Sequence, residues 1–445
     1  MHRIVFTLAI VPLFWVAKGQ VSPVITAWEV NPQVAYYDSL TYAQYLKQDY
    51  KLLIATAKEA KLQGVAFPYL HYRKAIAHYE LKNYAGAVKA YEEALPFFPD
   101  DLFLKESLYL AYRLSGQKVK ADIFAKTLPG TSRERLGITS SLVDFIRFSG
   151  GYTFSENDEK TRNSIANLDT INQYQDMMLG GVMVGLNISD RVKLKAAYNL
   201  FNTRFERFAR DRLQHDDLLS QHQFNLGMEF YLENDFSAGF TGGFYAIEKN
   251  NKSTAQLWNG AVGGGRKPTI PSSRSTNYHL SALIFLNKQF THVVPEISFA
   301  YSDFAFSHQF QSKLQLVYYP LGNLNFYGIT SGAILLDSDE NRGKQTIFSQ
   351  SVGVKLVGSM WLDGAVSVGN HLNYITDRSF VVYDTYDPVT FISSLSLSYY
   401  FKKMTLSATY SWTEREGWAF TDYYTRFLKY KYNNHLINLA IQWNL

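Results

Sequence analysis

The chain ends His435-Leu-Ile-Asn-Leu-Ala-Ile-Gln-Trp-Asn-Leu445, and the alternation in this stretch decides the fold. Read with period two, Ile437, Leu439, Ile441, Trp443 and Leu445 fall on one side, and Asn438, Ala440, Gln442 and Asn444 on the other. That is the pattern of a strand with one apolar and one polar face. About ten tilted residues cross the hydrocarbon layer of a bilayer. The segment therefore reads as the closing strand of an outer-membrane β-barrel. Its apolar row doubles as the expected signal for the barrel-assembly machinery.

The same alternation runs backward through the chain. Candidate strands fall at 141–155, 175–188, 191–204, 220–232, 236–249, 276–287 and 289–302. A second set falls at 307–319, 324–335, 345–357, 360–373, 389–401, 404–415 and 430–445. This gives an antiparallel transmembrane barrel of about 14 strands over residues 141–445, with 12–16 compatible because weak strands are easily split or merged. Tight turns such as Ser189-Asp190, Glu233-Asn-Asp235 and Lys402-Lys403 follow every second strand. Long polar connections such as 156–173, 207–219 and 250–275 mostly fill the other positions. Short turns on one side and long loops on the other are the habit of membrane barrels. With the oilier row facing lipid, Arg147, Lys193, Lys195, Glu229, Gln311, Lys313, Lys355 and Asp363 face the lumen. They either line a water-filled path or pair with one another to close it.

Ahead of the barrel, residues 34–127 are helical in pattern and repeat. Lys47–Tyr50, Leu81–Tyr84 and Ser115–Lys118 are polar turns spaced 34 residues apart. A 34-residue helix–turn–helix period is the tetratricopeptide signature. The middle unit carries it best, with Ala75, Tyr79, Tyr84, Ala87, Tyr91, Ala94, Leu95 and Pro99 on patterned positions. The region thus resembles an all-α tetratricopeptide solenoid of about three units, joined to the barrel by a linker at 128–140. By register its groove shows Tyr42, Tyr45, Tyr72, Ile76, Tyr79 and Arg113. Such a face suits a periplasmic protein or a polysaccharide, since tyrosine offers a flat apolar body with a polar tip. Packing of repeat on repeat is the alternative use of these rings.

Composition agrees with an α+β multidomain membrane protein. Aromatics make up 16% of 445 residues, with 32 Tyr and 31 Phe, while a mean hydropathy of −0.17 excludes a bundle of transmembrane helices. Residues 1–19 read as a signal peptide, with a short basic start, an apolar run and small residues before a cut at Gln20. A polar lead-in covers 20–33. With no Cys, disulfides and a lipid-anchored cysteine are excluded. The net charge of +5 is dispersed, so no nucleic-acid partner is expected. The glycine-rich stretch 260–269 lacks the Gly-Lys-Ser/Thr ending of a phosphate loop. His279 and Ser281 share a strand face, a pair some outer-membrane lipid hydrolases use, but the row points to the lumen. No cofactor, metal or enzymatic motif is expected.

The order of signal peptide, tetratricopeptide array and C-terminal barrel resembles the YaiO family of outer-membrane proteins. In layout it is also similar to exopolysaccharide exporters of the poly-N-acetylglucosamine porin type. The resemblance implies a barrel in the bacterial outer membrane, contacting its lipid, with the helical domain in the periplasm. It also implies a role in transport or secretion of polysaccharide or small solute. A non-conducting anchor whose repeats bind a periplasmic protein is the alternative, and a barrel enzyme acting on lipid or glycan is a third.

Overall fold

The computed structural model describes residues 31–139, 141–156, 170–209, 212–253, 273–304, 307–338, 343–376, 378, 381–382, 387–421 and 426–445. The expected signal peptide, most of the lead-in and the glycine-rich stretch 260–269 lie outside the described residues.

Six helices form three hairpins: α1 Pro32–Leu46 with α2 Tyr50–Leu62, α3 Pro68–Glu80 with α4 Tyr84–Ala94, and α5 Leu102–Leu114 with α6 Lys118–Ala125. The second helices begin at residues 50, 84 and 118, a 34-residue period. Each hairpin turn holds one residue in the left-handed region at the same step of that period: Gln48, Lys82 and Gly116. Asn31, Asp49, Asn83 and Asp101 cap helices by accepting backbone N–H groups, the role for which short polar side chains are suited. Fully buried Ala75, Ala87, Ala90, Ala94 and Ala111 let the helices approach closely. A further short helix, α7 Gly130–Arg135, occupies the stretch expected to be a linker. Arg135 pairs with Glu106 of α5, and Ser132 is buried beneath it.

The strands are β1 Val143–Ser155, β2 Thr170–Ser189, β3 Val192–Ala209, β4 Arg212–Tyr231, β5 Phe236–Ser253, β6 Ser273–Lys288, β7 Val293–Ser302 and β8 Gln309–Tyr318. They continue with β9 Phe326–Asp337, β10 Lys344–Lys355, β11 Met360–Gly369, β12 Ile375–Thr376, β13 Val381–Val382, β14 Val389–Tyr400, β15 Met404–Thr421 and β16 Arg426–Asn444. Among the described residues, fourteen of them close an antiparallel barrel in which β1 pairs with β16, and β12 and β13 form a separate two-stranded sheet. The closing seam runs from Phe145 opposite Asn444 to Ser155 opposite Asn434. Leu445 N–H donates to the Asp144 carbonyl at 3.0 Å, which carries the seam pairing to the last residue.

Burial sorts the two faces. On β6, Tyr278, Leu280, Ile284 and Leu286 are exposed while His279, Ser281, Leu283 and Phe285 are buried. Toward the short-turn end the outward rows are mostly apolar, as on a barrel that lies in lipid. Several strands are longer than their apolar rows. The connection read as a loop at 207–219 is mostly strand, since β3 and β4 stay paired out to Ala209 and Arg212. Likewise β15 and β16 run on to Thr421 and Arg426. Beyond the lipid the ladder needs only backbone pairing, so polar sequence continues the strand without an apolar row to reveal it.

The helical domain sits on the short-turn end of the barrel. Ala85 N–H donates to the Gly322 carbonyl at 2.8 Å, and Asn323 Nδ2 to the Lys82 carbonyl at 2.8 Å. Lys118 meets Asp144 at 2.5 Å and Lys120 meets Asp235 at 2.8 Å, while Lys126 pairs with Asp190. The α3–α4 turn with the start of α4, and helix α6 along its length, are thus what touches the barrel.

Candidate functional site

The connection from β11 to β14 does not project away from the barrel but descends into it. At its entrance His371 Nδ1 lies 2.8 Å from the Val389 carbonyl and Nε2 lies 2.6 Å from Ser367 Oγ. Deeper in, Tyr374 is buried against Ala333, Leu335 and Ile347, and Ile375 against Leu283, Phe285, Ala300 and Phe304. All but Phe304, which follows β7, are inward residues of strands from β6 to β10. The Gln311 amide clamps the Ile375 backbone, donating to its carbonyl at 2.9 Å and accepting its N–H at 3.0 Å. Ile375 and Thr376 then pair with Val382 and Val381, so the insert is a short hairpin standing in the lumen.

Arg378, at the far side of that hairpin, has a left-handed backbone. Its guanidinium reaches Glu229 at 3.0 Å and Glu296 at 2.6 Å and lies 3.9 Å from the centre of the Phe285 ring. Glu229 and Glu296 stand two and three residues from the short-turn ends of their strands. The insert therefore reaches the short-turn end, where Arg378 latches it. Charge-assisted bonds in a shielded site are strong, and the second carboxylate offsets the cost of burying the cation.

Below the latch is a cavity of about 330 Å³, walled by Tyr231 and Tyr319 of the barrel and roofed toward the helices by Gln117, Lys120 and Ile123. At the long-loop end the extended β15–β16 hairpin bends over the mouth, with Ala419 and Phe420 pairing with Ile171 and Thr170 of β2. Tyr174, Phe205 and Tyr432 form a buried cluster there. Arg415 lies 4.9 Å from the Tyr174 ring centre, and the Tyr432 hydroxyl donates to Asp387 at 2.7 Å. Lid, hairpin and helical domain stand in series along one axis.

The eight residues expected to line the lumen all belong to inward rows, in different roles. Glu229 and Gln311 hold the hairpin, as above. Lys195 lies beside Arg378, and Lys193 reaches Asp122 of α6 at 3.6 Å. Lys355 sits 4.8 Å from the Trp361 ring centre, Asp363 accepts the Tyr327 hydroxyl, and Lys313 follows Gln311 along β8. Arg147 is exposed, opposite Gln442 and Met183.

In the expected groove, Tyr42 is exposed and stacks on Arg73 at 5.1 Å, with Tyr69 at 5.5 Å from the same guanidinium. Tyr72 donates to Asp101 at 3.0 Å, and burial pushes its phenol above the usual range. Ile76 and Tyr79 pack on the helical core, Tyr45 is half-buried, and Arg113 approaches Asp122 at 3.6 Å. On the last strand, Ile437, Leu439, Trp443 and Leu445 are exposed on the outer face. Ile441 shares their row, and Trp443 meets the Phe148 ring edge-on at 6.1 Å. Ser281 Oγ lies 2.8 Å from Tyr245 Oη, and His279 Nδ1 lies 2.7 Å from the Asp303 carbonyl, so both groups serve structural partners. Among the described residues no group of three or more His, Cys, Asp or Glu is placed to hold a metal.

Sequence reading missed Arg378, Glu296 and the hairpin itself. The cue available was a pair of short apolar runs, Tyr374-Ile375 and Phe380-Val-Val382, flanking the polar Thr376-Asp-Arg-Ser379 inside a connection between strands.

No protein-family profile matches the sequence, and no curated protein does. Among solved structures, the chain is similar to a Pseudomonas aeruginosa FadL homologue at 9% identity, over 67% of this chain and 90% of that one, with a TM-score of 0.42. It is similar to the Ralstonia pickettii toluene transporter TbuX at 8% identity, over 69% and 91%, with a TM-score of 0.44. A bacterial polysaccharide outer membrane secretin matches at 9% identity, over 69% and 100%, with a TM-score of 0.34. Likenesses of this order carry nothing about cargo.

Proposed function

We propose that the protein is a gated transport barrel of the bacterial outer membrane, its helical domain in the periplasm, passing a polysaccharide or small polar solute. The observation that carries this reading is the hairpin in the lumen. A barrel that served only as an anchor would be best filled by fixed, fully satisfied side chains. Here the filling is a separate piece of chain, held among the described residues by the His371 bonds, the apolar contacts of Tyr374 and Ile375, the Gln311 clamp and the Arg378 latch. Around it Ser302, Gln309, Gln345 and Asn373 carry buried polar atoms with no protein partner among the described residues. Such atoms cost about 1–3 kcal/mol each until hydrated, so they lower the difference between the seated and the withdrawn hairpin. The facing wall supports a polar path: Ser394, Ser396 and Ser398 of β14 stand opposite Ala365, Asp363 and Trp361 on one side and Ser411, Thr409 and Ser407 on the other.

The test is replacement of residues 373–386 by a short Gly-Ser linker in the full chain, followed by planar-bilayer recording. A folded barrel should pass from rare openings to steady conductance; silence after removal of the hairpin would falsify the reading. A second reading, a non-conducting anchor that displays the helical repeats to a periplasmic protein, is favoured by the exposed Tyr42–Arg73–Tyr69 stack. It predicts capture of one stoichiometric envelope protein that Tyr42→Ala releases.

A further inference from the structure

Three outward-facing histidines recur in one arrangement. His222 Nδ1 lies 2.8 Å from Tyr198 Oη, His308 Nδ1 lies 2.8 Å from Tyr301 Oη, and His435 Nδ1 lies 2.7 Å from Tyr410 Oη. Each is a tyrosine on one strand reaching a histidine on or beside the next, with ring centres 6.0–6.1 Å apart. They also share a level. His222 is nine residues from the short-turn end of β4, His435 nine from that of β16, and His308 ten from that of β8. At about 2.5 Å of axial rise per tilted residue, nine residues make about 23 Å, close to the about 25 Å apolar band of a membrane barrel.

Charge marks the same boundary. Between the short turns and this level the outward rows of the described strands carry no charged side chain except Asp144 and Lys288, at the short-turn ends of β1 and β6. Above it come Arg204, Glu248, Arg274, Glu414 and Lys431. The histidines thus stand where hydrocarbon gives way to headgroups.

Their chemistry there is specific. With the tyrosine hydroxyl donating to Nδ1, the neutral imidazole carries its proton on Nε2, as a donor. On His435 that nitrogen lies 2.7 Å from Glu156 Oε1. On His222 and His308 it has no protein partner among the described residues. We propose that His222 and His308 are seats for phosphate groups of lipid at the long-loop face, their Nε2–H donating to a phosphate oxygen and Tyr198 and Tyr301 fixing the ring. The proposal rests on the barrel spanning a membrane and is independent of gating.

The test uses the full chain in maltoside micelles titrated with phosphatidylglycerol or with a phosphate-free galactolipid of equal chain length. The readout is the temperature at which the folded band is lost on gels. Phosphatidylglycerol should raise it by roughly 4 °C in the unaltered protein, and the galactolipid should not. The increment should disappear in H222F/H308F and survive in H435F, whose Nε2 is already engaged. H222Q/H308Q, which retains an amide donor, should recover part of it and serves where the Phe variant folds poorly. An equal response to both lipids, or an undiminished response in H222F/H308F, overturns the proposal. Conductance is untouched by these changes, so failure of the gate and failure of the seats are told apart.

Discussion

Replacing Arg378 by alanine tests the latch most directly. The change removes a guanidinium from two carboxylates whose side chains are only 14% and 7% exposed. Breaking a buried pair by deleting one partner costs about 3–5 kcal/mol, mainly through the uncompensated charge left behind. Two like charges left facing one site from β4 and β7 also repel, so the seated hairpin loses its anchor and gains a push. Taking the lower figure, about 3 kcal/mol is a factor of roughly 100 in the ratio of withdrawn to seated hairpin. Single-channel recording should show open probability rising by about that factor, with the barrel still migrating as folded before heating. Adding Glu229→Gln and Glu296→Gln to Arg378→Ala removes the stranded charge and should restore most of the closed time. A folded Arg378→Ala barrel with unaltered openings refutes the latch, and a leak that the two glutamines leave unchanged refutes its electrostatic cause.

Four further outcomes are expected. Gln311→Leu strips both hydrogen bonds from the Ile375 backbone and should raise open probability about tenfold, at about 1 kcal/mol per bond partly offset by added apolar contact. Gly322→Val should loosen the helical domain, because Gly322 is left-handed and a Cβ there would meet Asn83; trypsin should then cut near residue 137 several-fold faster. Burial, with Lys74 and His292 nearby, lowers His78 to about 4. A folded value below the unfolded one means stability is intact above about pH 6.5 and is lost as pH falls toward 4. His78→Gln should flatten that loss in a thermal scan of the helical domain's unfolding. Glu93 adds to the same trend: burial would raise it, but Lys74 and His71 outweigh burial and hold it low. Deleting Trp443–Leu445 removes the ladder pairs of Trp443 and Asn444 with β1 and of Trp443 with β15; the heat-modifiable band should vanish while the helical domain keeps its circular-dichroism signal.

The alternating rows of the last strand and the 34-residue helical period are local properties. A strand or helix shows its face in consecutive residues, so about fourteen strands and about three helical repeats are legible in the sequence alone. The same locality explains why Glu229 and Gln311 were placed in the lumen: parity along one strand is enough. What they do there was not legible. Glu229, Glu296 and Arg378 are separated by 67 and 82 residues, and nothing in any of their neighbourhoods announces the others. Only closure of the barrel brings β4 and β7 around one axis, and only descent of the β11–β14 connection delivers a cation to both. The docking of helix turns on barrel turns is likewise a meeting of surfaces, written in Lys82, Asn83, Gly322 and Asn323 only once both parts are folded. Sequence determined the walls, because walls are made of neighbours; tertiary structure decided what stands in the doorway, because that contact joins residues that no local pattern connects.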